Sequence, residues 1–257
     1  MLKIVLGILS VCILFVIYMV YKAHKDFITR FSVTHEKIPT QFNNYRIFFI
    51  ADVHRRKIKD LTLQKVKEPI NVIFIGGDFI ERYVPLSRLR ENIIKLKQFN
   101  VPIYFVWGNN DLEIDKETLI NLLHQEGVII LEDKVVPLII GDSKINLIGF
   151  NYYADSEKVP DLDWEKLDDG FTILLTHKPS SFYELKDKYK SQFDLVLAGH
   201  THGGQIRIVG HGFYENGGLF KYKNTYVIIT EGYGYTLLPF RLQTRAECQV
   251  ISLKSTF

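Results

Sequence analysis

Five short apolar runs, each ending on side chains able to bind a metal, constrain this chain more than any other feature. Ile47-Phe48-Phe49-Ile50-Ala51 runs into Asp52-Val53-His54, and Val72-Ile73-Phe74-Ile75 runs into Gly76-Gly77-Asp78. Ile103-Tyr104-Phe105-Val106-Trp107 runs into Gly108-Asn109-Asn110-Asp111, and Phe171-Thr172-Ile173-Leu174-Leu175 into Thr176-His177. The run from Phe193 to Ala198 ends in Gly199-His200-Thr201-His202-Gly203-Gly204-Gln205. Short runs rich in β-branched and aromatic residues, bounded by glycine or polar residues, read as strands buried on both faces. In open α/β sheets, ligands collect beyond the carboxyl ends of the strands. Asp52, His54, Asp78, Asn109, His177, His200 and His202 would therefore share one rim. Two histidines one residue apart on a glycine-rich turn suit two neighbouring metal ions, because glycine lets the backbone come close. The donors are carboxylate, amide and imidazole, with no thiolate. Such a set fits manganese, iron, zinc or nickel and not a structural thiolate zinc site.

The order D-x-H, G-D, G-N-x-D, H, G-H-x-H resembles the calcineurin-like metallophosphoesterase superfamily over Arg46 to Gly204. Gly203-Gly204-Gln205 after the last histidine also looks like a bacterial membrane-anchored branch of it. The resemblance implies an α/β fold, a four-layer αββα sandwich, with a dinuclear metal centre. Carried over motif by motif, Asp52, His54 and His202 would hold the first ion and Asn109, His177 and His200 the second. Asp78 would bridge them. Two cations roughly 3.5–4 Å apart polarise a phosphoryl oxygen and generate hydroxide near neutral pH. The expected activity is hydrolysis of phosphate esters by hydroxide held at that centre, with no Ser or Cys nucleophile. No G-x-S-x-G elbow or P-loop lysine motif competes with it. The alternative is a scaffold that keeps the fold and the metals but hydrolyses weakly or not at all.

One departure favours that alternative. Where the family often reads G-N-H-[DE], this chain has Asn110. An amide donates a hydrogen bond to a phosphate oxygen but is no acid at neutral pH, and general acid catalysis is worth ~10²–10⁴-fold. Asn110 is therefore the expected catalytic donor, suited to leaving groups that need little help. Arg55 and Arg56, directly after His54, are expected to hold substrate phosphate. His211, in Gly210-His211-Gly212, is expected to face the substrate.

The second strong signal is the uncharged run from Ile4 to Tyr21, long enough to cross a membrane as a helix. A cleaved signal peptide is the competing reading. No clear A-x-A site follows, and Tyr18 and Tyr21 look like an interfacial belt, so an uncleaved single-pass anchor over residues 1–22 is expected. Lys22, Lys25 and Arg30 follow the run against Lys3 before it, which favours a cytoplasmic catalytic domain at the cell membrane. Residues 23–44 read as a linker leading into one domain over 45–257, large enough to bury a core without cross-links. Cys12, in the membrane run, and Cys248, in a late apolar segment, are not expected to pair.

The net charge is +3, and no dense basic and aromatic patch points to nucleic acid. The partners expected are a phosphoester substrate and the lipid bilayer. No obligate protein partner is indicated. Leu86, Leu89, Ile93 and Leu96 mark a core-facing helix, and Leu119, Leu122 and Leu123 mark a second, ended by Gly127. Residues 135–150 read as a hairpin turning at Gly141-Asp142-Ser143, and Ser180 or Ser181 as the cap of a helix through Tyr189. Tyr233 and Tyr235 are further rim candidates.

Overall fold

A computed structural model of the chain describes residues 1–153, 160, 162, 164 and 167–256. It begins with the apolar helix α1 (Leu2–His24), whose most apolar window has a mean hydropathy of 2.8 and no buried residue. Two six-stranded sheets follow. The first holds β1 (Asp26–Thr34), β2 (Arg46–Ile50), β3 (Val72–Ile75), β4 (Ile103–Phe105), β5 (Val128–Ile130) and the C-terminal β12 (Ala246–Lys254), in the order β1-β12-β2-β3-β4-β5. The second holds β6 (Lys134–Ile140), β7 (Ser143–Gly149), β8 (Thr172–Leu175), β9 (Leu195–Ala198), β10 (Gly218–Tyr222) and β11 (Thr225–Ile229), in the order β10-β11-β9-β8-β7-β6. The neighbours β2, β3, β4 and β5 are parallel, as are β7, β8, β9 and β11.

Strand alternation builds the layers. Ile47 and Phe49 of β2 and Phe74 of β3 face inward, where Leu147, Ile173, Leu195 and Leu197 of the second sheet meet them. Phe48, Ile50, Ile73 and Ile75 face outward and are covered by Leu89, Ile93 and Leu96 of α3 (Leu86–Leu96) and Leu119 and Leu123 of α4 (Lys116–Gln125). The outer face of the second sheet packs Leu174, Val196 and Val227 under Phe182, Leu185 and Phe193. This is the expected four-layer sandwich preceded by one apolar helix.

The cover on the second sheet differs from expectation. It has two short helices, α5 (Ser180–Tyr183) and α6 (Asp187–Lys190), because Lys186 between them is extended. Neither serine caps the first of them; Pro179 occupies that position. The hairpin falls as expected, with Ile140 opposite Ser143 across Gly141-Asp142. Gly141 takes φ +56°, which suits a tight hairpin turn.

Residues 26–34, expected within a linker, instead form β1 and pair in parallel with β12 along their whole length. The sheet therefore begins two residues after α1 ends. Asp26 explains why. Its buried carboxylate accepts from Arg56 Nη2 (2.7 Å), the Thr62 hydroxyl (2.5 Å) and the Tyr233 hydroxyl (3.0 Å). Cys12 and Cys248 are both free.

Candidate metal centre

Parallel strands put their C-terminal ends on one edge, and both sheets deliver their motifs there. β2 ends in Asp52 and His54, β3 in Asp78, β4 in Asn109, β8 in His177 and β9 in His200 and His202. The backbone turns sharply at these ends. Asp52, His54, Asp78, His200 and His202 all take positive φ, between 49° and 73°. Non-glycine residues in that region carry strain of order 1–3 kcal/mol each, which persists where surrounding structure holds it. Here the loops hold one another: Asp52 N–H donates to the Gly77 carbonyl, and His54 N–H to the Asp78 carbonyl, each at 3.0 Å. Gly108 leaves no room for a side chain, since a Cβ there would lie 2.2 Å from Asp78 Oδ1.

The side chains gather into two groups. Asp52, His54 and His202 form one; Asp78, His177 and His200 form the other; in each the donor atoms lie within 4.8 Å of one another. His54 Nε2 and His202 Nε2 are 3.1 Å apart, and His200 Nδ1 and His177 Nε2 are 3.0 Å apart. Asn109 Oδ1 joins the second group, 3.2 Å from His177 Nε2. Asp78 Oδ2 lies between the groups, 3.3 Å from His177 Nε2 and 3.9 Å from His54 Nε2. Imidazole nitrogens facing one another across such gaps, with carboxylate and amide oxygens beside them, are a donor set that divalent cations fit.

Electrostatics differ within each group. Burial pushes the Asp52 carboxyl up to about 6, with Asp78 adding to the rise and His177 opposing it. Burial also opposes charge on His177, yet the Asp78 carboxylate outweighs it and raises His177 to about 9. Burial and the neighbouring His177 charge lower His200 to about 4. His202 is held neutral, first by burial and then by His54 and Arg241.

A second set of contacts orients these side chains, and most of it escaped the sequence reading. His177 Nδ1 sits 2.8 Å from the Gly76 carbonyl, which leaves Nε2 for the site. His54 Nδ1 lies 3.0 Å from Glu81 Oε2. The same Glu81 accepts from Arg55 Nε at 2.5 Å. Asp111 is fully buried and accepts from the N–H groups of Asp78, Phe79, Ile80 and Gly108 at 2.7–3.0 Å. It thereby ties the end of β3 to the end of β4. Arg241 is buried behind His202, and its Nη2 donates to the Glu231 (2.6 Å) and Gly234 (2.8 Å) carbonyls. The same Nη2 also approaches the Gly232 carbonyl at 3.1 Å and His202 Nδ1 at 3.3 Å.

The expected substrate contacts divide. His211 lines a cavity of about 940 Å³ together with His200 and His202. Arg55 is half exposed but committed to Glu81. Arg56 does not reach the rim: its guanidinium is buried, donates to Asp26 and to the Tyr233 carbonyl (2.5 Å), and stacks on the Tyr233 ring. Tyr233 is buried with it, so only Tyr235 of the two tyrosines is accessible. Asn110 lies beside the second group. Its N–H donates to Asp78 Oδ1 (2.7 Å) and its Nδ2 to Glu113 Oε1 (3.1 Å).

The calcineurin-like phosphoesterase family matches residues 45–204, well over half of the chain, and the chain belongs to that family. It is a phosphoester hydrolase with the groups needed to hold divalent metal. YpbG of Bacillus subtilis is 37% identical over 215 residues, 80% of this chain and 80% of its own. The phosphodiesterase YaeI of Escherichia coli is 26% identical over 81% of this chain and 82% of its own. A transmembrane protein with a metallophosphoesterase domain from Danio rerio is 29% identical over 97% of this chain and 62% of its own.

Proposed function

We propose that this chain is a membrane-anchored phosphoesterase acting at two divalent ions, on substrates that carry phosphate in a lipid head group or a lipid-linked envelope intermediate. The position of Asp78 Oδ2 between His177 and His54 supports the two-ion reading most directly. Asp52, His54 and His202 would hold one ion, Asn109, His177 and His200 the other, and Asp78 both. The ions would supply Lewis acidity and a hydroxide source near neutral pH.

The protein's own groups do the rest. Neutral His200 and His202 hold cations without cancelling their charge. Glu81 and the Gly76 carbonyl fix the rings of His54 and His177, as such partners do for metal-binding histidines. Asn110 donates to a phosphate oxygen but protonates nothing, which suits a leaving group of low pKa such as a phosphate. His211, which lines the same cavity as His200 and His202, is placed to meet the substrate. Arg55 acts through Glu81.

The helix α1 anchors the chain, and the excess of Lys22, Lys25 and Arg30 over Lys3 supports a domain on the cytoplasmic side. The test uses the full chain in vesicles, offered lipid-borne and soluble phosphoesters with manganese. Metal analysis should give two ions per chain, and a chelator should stop hydrolysis reversibly. One ion or none under metal-replete conditions overturns the two-ion site. Failure to cleave any lipid phosphate overturns the lipid substrate.

A further inference from the structure

The loops around the cavity mouth carry large apolar side chains that nothing among the described residues covers. Phe213 is 97% exposed, Leu237 84% and Val209 81%, with Ile208 and Leu238 more than half exposed. Single exposed apolar residues are ordinary, but a contiguous patch marks a surface that meets something apolar. These residues are contiguous. Loops 205–214 and 235–242 are laced together: Gln205 Nε2 donates to the Thr236 carbonyl (3.1 Å), and Arg207 N–H to the Leu242 carbonyl (2.9 Å).

The patch is also continuous with α1. Arg241 N–H donates to the Met19 carbonyl at 3.2 Å, and the Tyr235 ring packs on His24 with centroids 5.6 Å apart. Loop 235–241 therefore runs along the helix from its last residue back to Met19. Five helical residues span ~7.5 Å at ~1.5 Å each. Met19 lies inside the uncharged run that would sit in the membrane. Leu237 and Leu238, between the two contact points in the chain, are thus held at the depth where that run enters the bilayer.

Charge is layered in the same sense. At the level of His24 a cleft lined by Arg55, Lys57, Lys59, Arg88 and Lys95 opens beside Tyr235. Counting the buried Arg56, its six bases meet four carboxylates, Asp26, Asp60, Glu81 and Glu91, so this belt keeps net positive charge. An apolar patch at the Met19 level and a basic belt at the His24 level match the order of hydrocarbon and anionic head groups across an interface.

We propose that loops 205–214 and 235–241 form a second membrane-contact surface, inserted into the same leaflet that α1 enters, so that the cavity beside His200 and His202 opens onto the bilayer. The inference rests on the anchored reading above and deepens it. An amphiphilic phosphoester would then reach the metal groups with its apolar part still in the leaflet, past Phe213 and Leu237. The surface adds no chemistry. It lowers the cost of drawing a head group out of the membrane.

One tryptophan added at a time, read against the native Trp107 and Trp164, reports on it. Phe213→Trp, Leu237→Trp and, as a reference inside the anchor, Phe15→Trp are compared in the full-length chain in vesicles containing brominated phospholipid. Asp142→Trp is the outside control. It precedes β7, which is parallel to β8, so it lies at the opposite end of the sheet from His177. The emission added at 213 and 237 should shift to the blue and be quenched by the brominated lipid, as at 15, while that at 142 is not. Unquenched emission at 213 and 237 overturns the proposal. So does shielding that grows with protein concentration and not with lipid, because a second copy then covers the patch. Hydrolysis of lipid phosphate in the same vesicles is scored separately. Quenching without hydrolysis keeps this surface and removes the lipid substrate; hydrolysis without quenching does the reverse.

Discussion

Glu81 Oε2 stands 3.0 Å from His54 Nδ1, and the same carboxylate binds the Arg55 guanidinium. Burial opposes charge on Glu81, but its contacts with His54 and Arg55 hold its pKa below the usual glutamate value. It stays ionised at neutral pH and fixes the ring of His54 with Nε2 facing the site. Partners of this kind cost roughly 10–100-fold in metal affinity or activity when removed. Glu81→Gln should therefore weaken binding of one ion by about that factor and leave the other nearly unchanged. Competitive metal titration of the full chain checks this. Equal weakening of both ions, or of neither, would place Glu81 outside the metal centre.

Asp78→Asn should be more damaging than any change at Asn109. Asp78 Oδ2 lies close to histidines of both groups, and an amide there would keep the shape while removing the charge that would offset two cations. The expected result is loss of the paired ions with the secondary structure intact. Metal content by elemental analysis and far-UV circular dichroism on the same sample measure both. A variant that retains two tightly bound ions rules out the bridging role.

The clustering of the seven rim side chains was legible in the sequence for a physical reason. A parallel strand covered on both faces must be apolar throughout, so the first polar residue after it marks the sheet's edge. Five such edges, read together, located Asp52, His54, Asp78, Asn109, His177, His200 and His202 at one rim. What escaped has no local signature. Glu81 acts through a fold-dependent approach to His54, and Arg241 lies behind His202 across 39 residues of chain. β1 was hidden because it is an edge strand, where one-sided pairing tolerates Arg30 and Thr29 among its apolar residues. Arg56 misled because a basic residue beside a phosphate site suggests substrate, whereas Asp26, at the foot of α1, captures it.

Asn110 should make the enzyme selective for good leaving groups. Without a proton donor, the rate should fall steeply as leaving-group pKa rises, so nitrophenyl esters should far outrun alkyl esters. Asn110→His would set an imidazole near Glu113, whose carboxylate now accepts from Asn110 Nδ2. That neighbour would raise the imidazole's pKa and make it a usable acid. Turnover of alkyl esters should improve toward the ~10²–10⁴-fold that general acid catalysis supplies, with little change for nitrophenyl esters. Equal wild-type rates across leaving groups, with chemistry rate-limiting, would mean that another group gives the proton.

Asp26 links the base of α1 to the loop that carries His54, and its charge state should set the acid limit of the fold. Burial opposes its ionisation, but the Arg56 charge and the hydrogen bonds from Thr62 and Arg56 outweigh it and hold its pKa below 3.8. A carboxyl whose pKa is depressed by folding stabilises the fold fully above its unfolded value. That stabilisation is lost as pH falls through the lower folded value. Asp26→Asn leaves Arg56 buried beside a neutral amide, a loss of about 3–5 kcal/mol for a broken buried pair. The variant should therefore unfold well before the parent at pH 7. The gap should persist down to about pH 4 and narrow below it, as the parent's own carboxyl is protonated. Thermal unfolding of both full-length chains in detergent, with a chelator present to remove the metal contribution, measures the gap. A gap that stays constant to pH 2, or widens as pH falls, would show that Asp26 is not ionised in the native protein.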